Sequence, residues 1–375
     1  MLTAPALDNL AAAVIRACRS GLDAGALRAA VLPRLRKAVP IDALWWAAAD
    51  PATLLFTQSY REELPEESGP YFVENEFQRQ DVNKWTELAR DPAGVRTLME
   101  ATGGHPARSE RYRDILAPLG LQDELRAVLR MRDACWGYIC LHREEAQTTF
   151  SRDEARFVQR LAPHLAEGLR TGLLRQACDL EETADSPGLV ILGTDGAVAG
   201  MNDAAGRWLE DLGGRADGSE LPIEISALAT RLRHLDASAP AMPRLRVRAR
   251  TGRWVTLHAS WMNSHGDKAI TVILEEAAPA EVAPLIMSAY GLTDREKTIC
   301  ALVCQGLPTR QIADRLHLTT DTVQDHLKSA FSKTGVHSRG ELVAAVLQRD
   351  YLPRAIAGVP LTRSGAFAVG EPPGP

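Results

Sequence analysis

Four helix starts crowd into the stretch from Thr293 to Gln348, each with its own cap and stop. Thr293 and Glu296 form a capping box, in which the hydroxyl takes the amide three residues on and the carboxylate reaches back. Gly306 suits the left-handed position that ends the first helix. Thr309 is expected to cap a second helix, Arg310 to Leu316, and His317-Leu318 to turn the chain tightly. Thr319 caps a third helix running to about Thr334, which Gly335 stops, and Ser338 caps a fourth. A short helix, a tight turn and a longer helix make a helix-turn-helix, whose second helix enters the DNA major groove.

The apolar spacing agrees. Ile299, Leu302 and Val303 line the first helix, and Ile312, Ala313 and Leu316 line the second. Val323, Leu327, Ala330 and Phe331 recur at helical spacing on the third. That leaves Gln324, Asp325, Lys328 and Ser332 on the opposite, outward face. Gln324 can bond adenine bidentately, and Lys328 can reach guanine or a phosphate.

The run from Leu292 to Leu342 resembles the LuxR-type helix-turn-helix of bacterial transcription regulators over about fifty residues. The shared pattern is L-T-x-R-E, a glycine after the first helix, I-A-x-x-L, T-V-x-x-H, K-x-G-V and S-R. The resemblance implies that Gln324, Asp325 and Lys328 face bases, and that Thr320, Thr322, Ser332, Lys333 and Arg339 lie near the DNA backbone. It also implies dimer contacts on the fourth helix, at Leu342, Val343 and Val346. Two residues depart from the pattern. Asp325 puts a negative charge on a face meant for DNA, where it would repel phosphate but could accept from a cytosine amino group. Thr334 stands where the family has leucine.

Charge limits what this stretch can do alone. The whole chain carries a net charge of -5. Leu285 to Asp350 holds eight Lys/Arg against seven Asp/Glu, or +1. Affinity per module should be modest, and a homodimer would double the contacts. The six cysteines include no C-x-x-C pair, as expected of buried thiols in a reducing compartment. Cys300 and Cys304 share a helix face and leave a redox switch open. Asp8, Arg16 and Arg19 interrupt the first apolar run, so no signal peptide is expected. No apolar span of about eighteen residues occurs, so no membrane crossing is expected either. Together these point to the cytoplasm.

Residues 1–178 read as two helices (Pro5 to Arg19, and Ala24 to about Val39), a hairpin around Asp50-Pro51-Ala52-Thr53, and a helical insert from Glu66 to Leu119. Strands at Glu124–Met131 and Ala134–His142 follow. Ser151 and Glu154 form a capping box for a helix that extends toward Cys178. This order, with the run Trp136-Gly-Tyr-Ile-Cys-Leu-His-Arg, resembles a GAF domain. The resemblance implies a small-molecule pocket, for which Trp45, Phe56, Trp85, Trp136 and Tyr138 are candidates; packing in the core is the other reading of the same aromatics. The stripe Phe157, Leu161, Leu165, Leu169, Leu173 either packs on its own domain or pairs, in its later turns, with a second subunit.

Residues 179–284 begin with an apolar strand at Gly188, an Asp195-Gly196 turn, a returning strand, and a helix capped by Asn202. A helix and three strands follow. That order resembles a PAS domain. Arg244, Arg246, Arg248 and Arg250 alternate on one strand face, which reads first as a solvated edge and otherwise as a site for an acidic ligand or DNA. His258 reads as structural. Ala280 to Tyr290 reads as a joining helix, and the Gly- and Pro-rich residues 353–375 as a disordered tail.

No phosphate loop, H-E-x-x-H or G-x-S-x-G occurs, and the glycines around Gly196 have the wrong spacing for a dinucleotide fingerprint. No catalytic residue, metal site or cofactor is expected. The fold class expected is multidomain α+β: GAF-like (1–178) and PAS-like (179–284) α/β sensor domains, then an all-α four-helix LuxR-type helix-turn-helix domain (285–352). The expected partners are double-stranded DNA, a second copy of the chain, and an unidentified small-molecule or protein signal. The alternative is a ligand-binding or adaptor protein with no independent DNA binding.

Overall fold

Two five-stranded sheets and a separate bundle of short helices make up the chain. The computed structural model describes residues 3–65, 68–176, 186–234, 243–264 and 267–347. Cys178, Gln348 and the tail from 353 onward lie outside the described residues. The chain divides into two units: Met1–Gly172 with Ser186–Glu275, and Leu173–Asp185 with Glu276–Pro375. Both sheets belong to the first unit. Among the described residues no helix is long and apolar enough to cross a membrane.

The first sheet is built as its turn residues dictate. Helices α1 (Ala4–Cys18) and α2 (Ala24–Ala38) lead into strands β1 (Ala43–Ala49) and β2 (Phe56–Glu62). Asp50 holds the hairpin turn by accepting the Ala52 amide at 2.9 Å. The insert supplies α3 (Ser68–Gln78), α4 (Trp85–Leu88), β3 (Val95–Thr97) and α5 (Leu98–Thr102). Strand β3, only three residues long, has no period to read and is absent from the sequence reading. Strands β4 (Leu121–Met131) and β5 (Ala134–Glu144) turn through Arg132, whose φ is 54°. The order is β2-β1-β5-β4-β3, with all neighbours antiparallel.

Helix α6 (Arg152–Gln176) starts at the expected box: Ser151 donates its amide to Glu154 at 2.8 Å, and Glu154 its amide to Ser151 Oγ at 3.3 Å. Phe157, Leu161, Leu165 and Leu169 are all buried, and Leu173 is half-buried. The helix also touches backbone on its glycines. A Cβ on Gly172 would sit 2.3 Å from the Leu22 carbonyl oxygen, and one on Gly168 3.2 Å from Cys18 Cα. Through Gly172, then, the helix lies against the α1–α2 corner of its own unit.

The second sheet takes β6 (Gly188–Leu192), β7 (Val198–Met201), β8 (Arg244–Arg248), β9 (Trp254–Ser264) and β10 (Asp267–Glu276), in the order β7-β6-β10-β9-β8. Helices α7 (Asp203–Asp211) and α8 (Ile223–Arg233) lie between β7 and β8 in sequence. Asn202 caps α7 as expected, accepting the Ala205 amide at 2.9 Å. Trp208, Leu228, Val247, Leu257 and Val272 fill the core, together with Leu55 from the β1–β2 hairpin.

β8 is an edge strand, with Arg244 and Arg250 exposed as expected, but the solvated reading fails for Arg246 and Arg248. Strand β8 lies against β2. Arg246 is ion-paired with Asp50, and Arg248 is buried. The middle of this face is covered because the other sheet approaches it and supplies a counter-charge to Arg246.

The second unit holds α9 (Pro279–Ala289), α10 (Asp294–Cys304), α11 (Thr309–Leu316), α12 (Thr320–Thr334) and α13 (Arg339–Leu347). The expected joining helix α9 packs into this bundle: Ala283 and Met287 share one core with Ile299, Ile312, Val323 and Leu327. Thr309 is not the cap of α11. Extended Pro308 takes that place, and Thr309 is already helical. His317 turns the chain at φ 53°, and Gly335 ends α12 at φ 71°. Thr334 keeps its hydroxyl satisfied in the core by donating to the Ala330 carbonyl at 2.8 Å.

Thr319 Oγ1 accepts the Thr322 amide at 3.1 Å. Thr319→Ala removes that cap and should cost about 1 kcal/mol. The check is thermal unfolding of the full chain by circular dichroism; an unchanged midpoint contradicts the capping role.

Candidate nucleic-acid interface

Helix α12 sorts its residues by face. Val323, Leu327 and Ala330 are buried against α10 and α11. Gln324, Asp325 and Lys328 are exposed, as are Thr320 and Ser332. All five therefore present polar groups to solvent from one helix. Lys328 Nζ lies 3.4 Å from Asp325 Oδ1, with both side chains about three-quarters exposed. The acidic residue that departs from the family pattern thus has its counter-ion one turn away. A pair this exposed adds little stability and parts easily.

The expected backbone-contact residues differ in freedom. Thr322 is bound into the N-terminal cap, its hydroxyl 2.8 Å from that of Thr319. Arg339 is half-buried and donates from Nη2 to the Leu307 carbonyl at 3.2 Å. Lys333 needs correction. Its Nζ sits 2.6 and 2.9 Å from the two carboxylate oxygens of Glu296, so its charge is spent inside the unit. Reaching a phosphate would leave a buried carboxylate unpaired.

Glu296 was read only as half of a capping box, and it does more. It accepts the Thr293 amide at 2.7 Å, the Ser329 hydroxyl at 2.7 Å, and Lys333. One carboxylate therefore starts α10 and holds α12 against it. Burial alone would raise its pKa, but bonds from Lys333, Ser329 and Thr293 outweigh that and hold it down to about 2. The spacing of 33 residues from Glu296 to Ser329 carries no local signal.

The expected dimer residues differ in how much surface they keep. Leu342 and Val346 are buried in the core of their own unit. Val343 alone of the three keeps part of its surface. Cys300 is buried too, and burial pushes its thiol up to about 12; burial raises Cys304 as well. Neither offers a reactive thiolate at neutral pH.

The five pocket candidates are all buried. Four pack on each other: Trp45 meets Phe56 edge-on at 4.7 Å and Trp85 at 6.0 Å, and Tyr138 meets Phe56 at 5.7 Å and Trp85 at 4.7 Å. Phe56, Trp85 and Tyr138 are core, and Tyr138 donates its hydroxyl to the Leu54 carbonyl at 3.0 Å. Trp136 is buried at a register shift between β4 and β5. Trp45 also lines a cavity of about 530 Å³.

Glu124, Cys140 and His142 bring ligand atoms within 4.8 Å of one another. The cluster does not suit a cation. Arg111 Nη2 and Arg126 Nε lie 2.6 and 3.1 Å from Glu124 Oε2, so two guanidinium charges already occupy the carboxylate. Burial would raise the Glu124 pKa, but the two arginines carry it far below the usual carboxylate range.

The family model described as bacterial regulatory proteins, luxR family, matches residues 291–346, and the GAF domain model matches residues 7–169. The chain is 35% identical over 61 residues to the spore germination protein GerE of Bacillus subtilis; the match covers 82% of that protein and 16% of this chain. It is 37% identical over 81 residues to the nitrate/nitrite response regulator protein NarL of Escherichia coli K12, covering 22% of this chain and only 38% of NarL. A crystal structure of Escherichia coli SdiA aligns with 91% of this chain and 98% of its own, at 12% identity and a TM-score of 0.32.

Glu296 gives the second unit a pH dependence. Folding lowers its pKa, so the stabilisation is complete above the ordinary value of 4.5 and is lost as pH falls through about 2. Glu296→Gln should cost about 1.5–3 kcal/mol near neutral pH, the range for hydrogen bonds to charged groups. The cost should shrink toward pH 2. Urea unfolding of wild type and variant across that range measures it, and a pH-independent difference would contradict the ion pair.

Proposed function

The chain belongs to the luxR family of bacterial regulatory proteins, and we propose that it regulates transcription by binding double-stranded DNA sequence-selectively through α12. The observation that carries this reading is the outward row of Gln324, Asp325 and Lys328 on a helix whose opposite side is buried. In this reading those three side chains meet base edges. Thr320 and Ser332, both exposed, lie along the sugar-phosphate backbone, with Arg339 nearby.

The active species in this reading is a homodimer. A module of net charge +1 gathers few phosphates, and each one neutralised contributes a slope of only about -0.9 in log affinity against log salt. Two modules about one helical turn apart, roughly 34 Å, double that. Val343 is the α13 residue left to reach a partner. The GAF domain and the second sheet, which we read as PAS-like from its order of strand, turn, strand and capped helix, receive a small-molecule or protein signal. The signal acts by favouring one arrangement of the two reading helices over another. We assign residues 1–178, 179–284 and 285–352 to the three parts and 353–375 to a tail, and place the protein in the cytoplasm.

The adaptor reading draws on Asp325 and on Lys333 being held internally. Selection of genomic fragments by gel shift at low salt separates the two, since an adaptor enriches no sequence. Gln324→Ala should then relax base preference at one position per half-site, at about 1–3 kcal/mol. Equal weakening on every sequence contradicts a base-reading Gln324.

A further inference from the structure

The cavity that Trp45 lines is not confined to the first sheet. Its floor is Trp45, Phe72, Ile115 and Leu116, and its facing wall is Leu221, Ile223 and Val247 from the second sheet's side of the same unit. At about 530 Å³ it matches the size of small-molecule sites. Apolar side chains on both sides can hold a ring, and the polar residues among them select what the ring carries.

That rim is cationic in effect. Arg28 stacks over the Tyr60 ring at 3.6 Å and has no carboxylate within 4 Å among the described residues. Arg250, on the opposite wall, has none either. The acidic groups present are already used. Glu220 pairs with Arg61 at 3.1 Å, and Asp211 with Arg253 at 3.3 Å. Glu224 accepts the Ser59 hydroxyl at 2.9 Å, and its burial raises its pKa toward the neutral acid. Burial likewise lowers the Arg28 pKa, against the opposing pull of Tyr60, Asp23 and Glu62.

A second feature points to a ligand independently of charge. His142 lines the cavity, is 3% exposed, and its Nδ1 is buried with no hydrogen-bond partner. Buried polar atoms are ordinarily paired, and an orphan beside an empty volume is a contact waiting for an occupant. Burial holds this imidazole neutral, with its pKa pushed down to about 4.

We propose that the cavity binds an aromatic carboxylate, its ring between Trp45 and Phe72 and the facing apolar wall, its anionic end on the Arg28 and Arg250 rim, with His142 supplying a hydrogen bond. Such a ligand touches both sheets at once, so it would set how they lie on each other. That this matters for DNA rests on the control reading above.

Isothermal titration of the full chain with 2-naphthoate, and with 2-naphthylmethanol as its uncharged counterpart, tests the site. The expected result is saturable binding of the acid at one per chain, about tenfold weaker for the alcohol. Arg28→Gln should weaken the acid by about tenfold and leave the alcohol unchanged. Arg250→Gln, at an exposed position, gives the same reading should Arg28→Gln fail to fold. No saturable binding of the acid, equal affinity for acid and alcohol, or wild-type binding in both variants overturns the proposal. A gel shift with and without 2-naphthoate separates the two claims: binding that leaves DNA affinity unchanged supports the site and sinks ligand control.

Discussion

A single carboxylate ties α12 to the start of α10. Glu296 lies in the first turn of α10 and gathers the Thr293 amide, the Ser329 hydroxyl and the Lys333 ammonium. The apolar contacts of Val323 and Leu327 hold α12 to the bundle, but greasy contact alone lets a helix slide or roll. Two directed bonds from successive turns of α12 to one fixed point remove that freedom. The side chains on the far face, Gln324 and Lys328, are then presented at a fixed angle. Preorganisation of this kind matters for a base reader, because hydrogen bonds to base edges tolerate little misplacement.

The first unit is held by a different device. Its two sheets are tied by the β1–β2 hairpin, whose Leu55 enters the second core while the neighbouring Asp50 meets Arg246. Ser59–Glu224 and Arg61–Glu220 extend the seam. Beneath it, Arg111, Glu124, Arg126 and Glu76 form a buried ionic cluster, with Arg126 also stacked 4.5 Å from the Trp85 ring. Breaking one partner of such a cluster costs about 3–5 kcal/mol, because it strands the other charge out of water. The cluster stiffens one side of the sheet. The seam beside it keeps an open volume with cations at its edge.

What was legible in the sequence follows the range of the forces involved. The caps at Thr293, Thr319, Asn202 and Ser151 were readable because each acts over three residues. So were the hairpin at Asp50 and the apolar face of α12. The pairing of Glu296 with Lys333 was not, since it joins residues 37 apart. Nor was the fate of the arginine strand: Arg246 and Arg248 alternate as an exposed edge does, and only the approach of β2 shows that they are covered. The burial of Leu342 and Val346 was not legible for a related reason. A helix in a five-helix bundle spends its apolar residues on its own core first. Of the aromatics, four make a core that needs no ligand, and nothing local distinguishes Trp45, which also borders a cavity.

The internal pairings also change how the charge of the DNA-facing unit is to be read. Its lysines are the committed cations: Lys297 with Asp294, Lys328 with Asp325, and Lys333 with Glu296. Each pair cancels locally, so none of the three adds to a long-range field in the free protein. The exposed cations of α11 are arginines, Arg310 and Arg315. Arginine suits a phosphate better than lysine, since its planar fork bonds two oxygens at once. On the proposed DNA-binding reading, the helix preceding the reader adds two exposed arginines that suit phosphate. On that same reading, the reader is nearly neutral until Lys328 leaves Asp325 for a base or a phosphate, which frees Asp325 to accept from cytosine. Because a pair this exposed parts easily, what it withholds in the free protein is long-range attraction for DNA, not a large cost at contact.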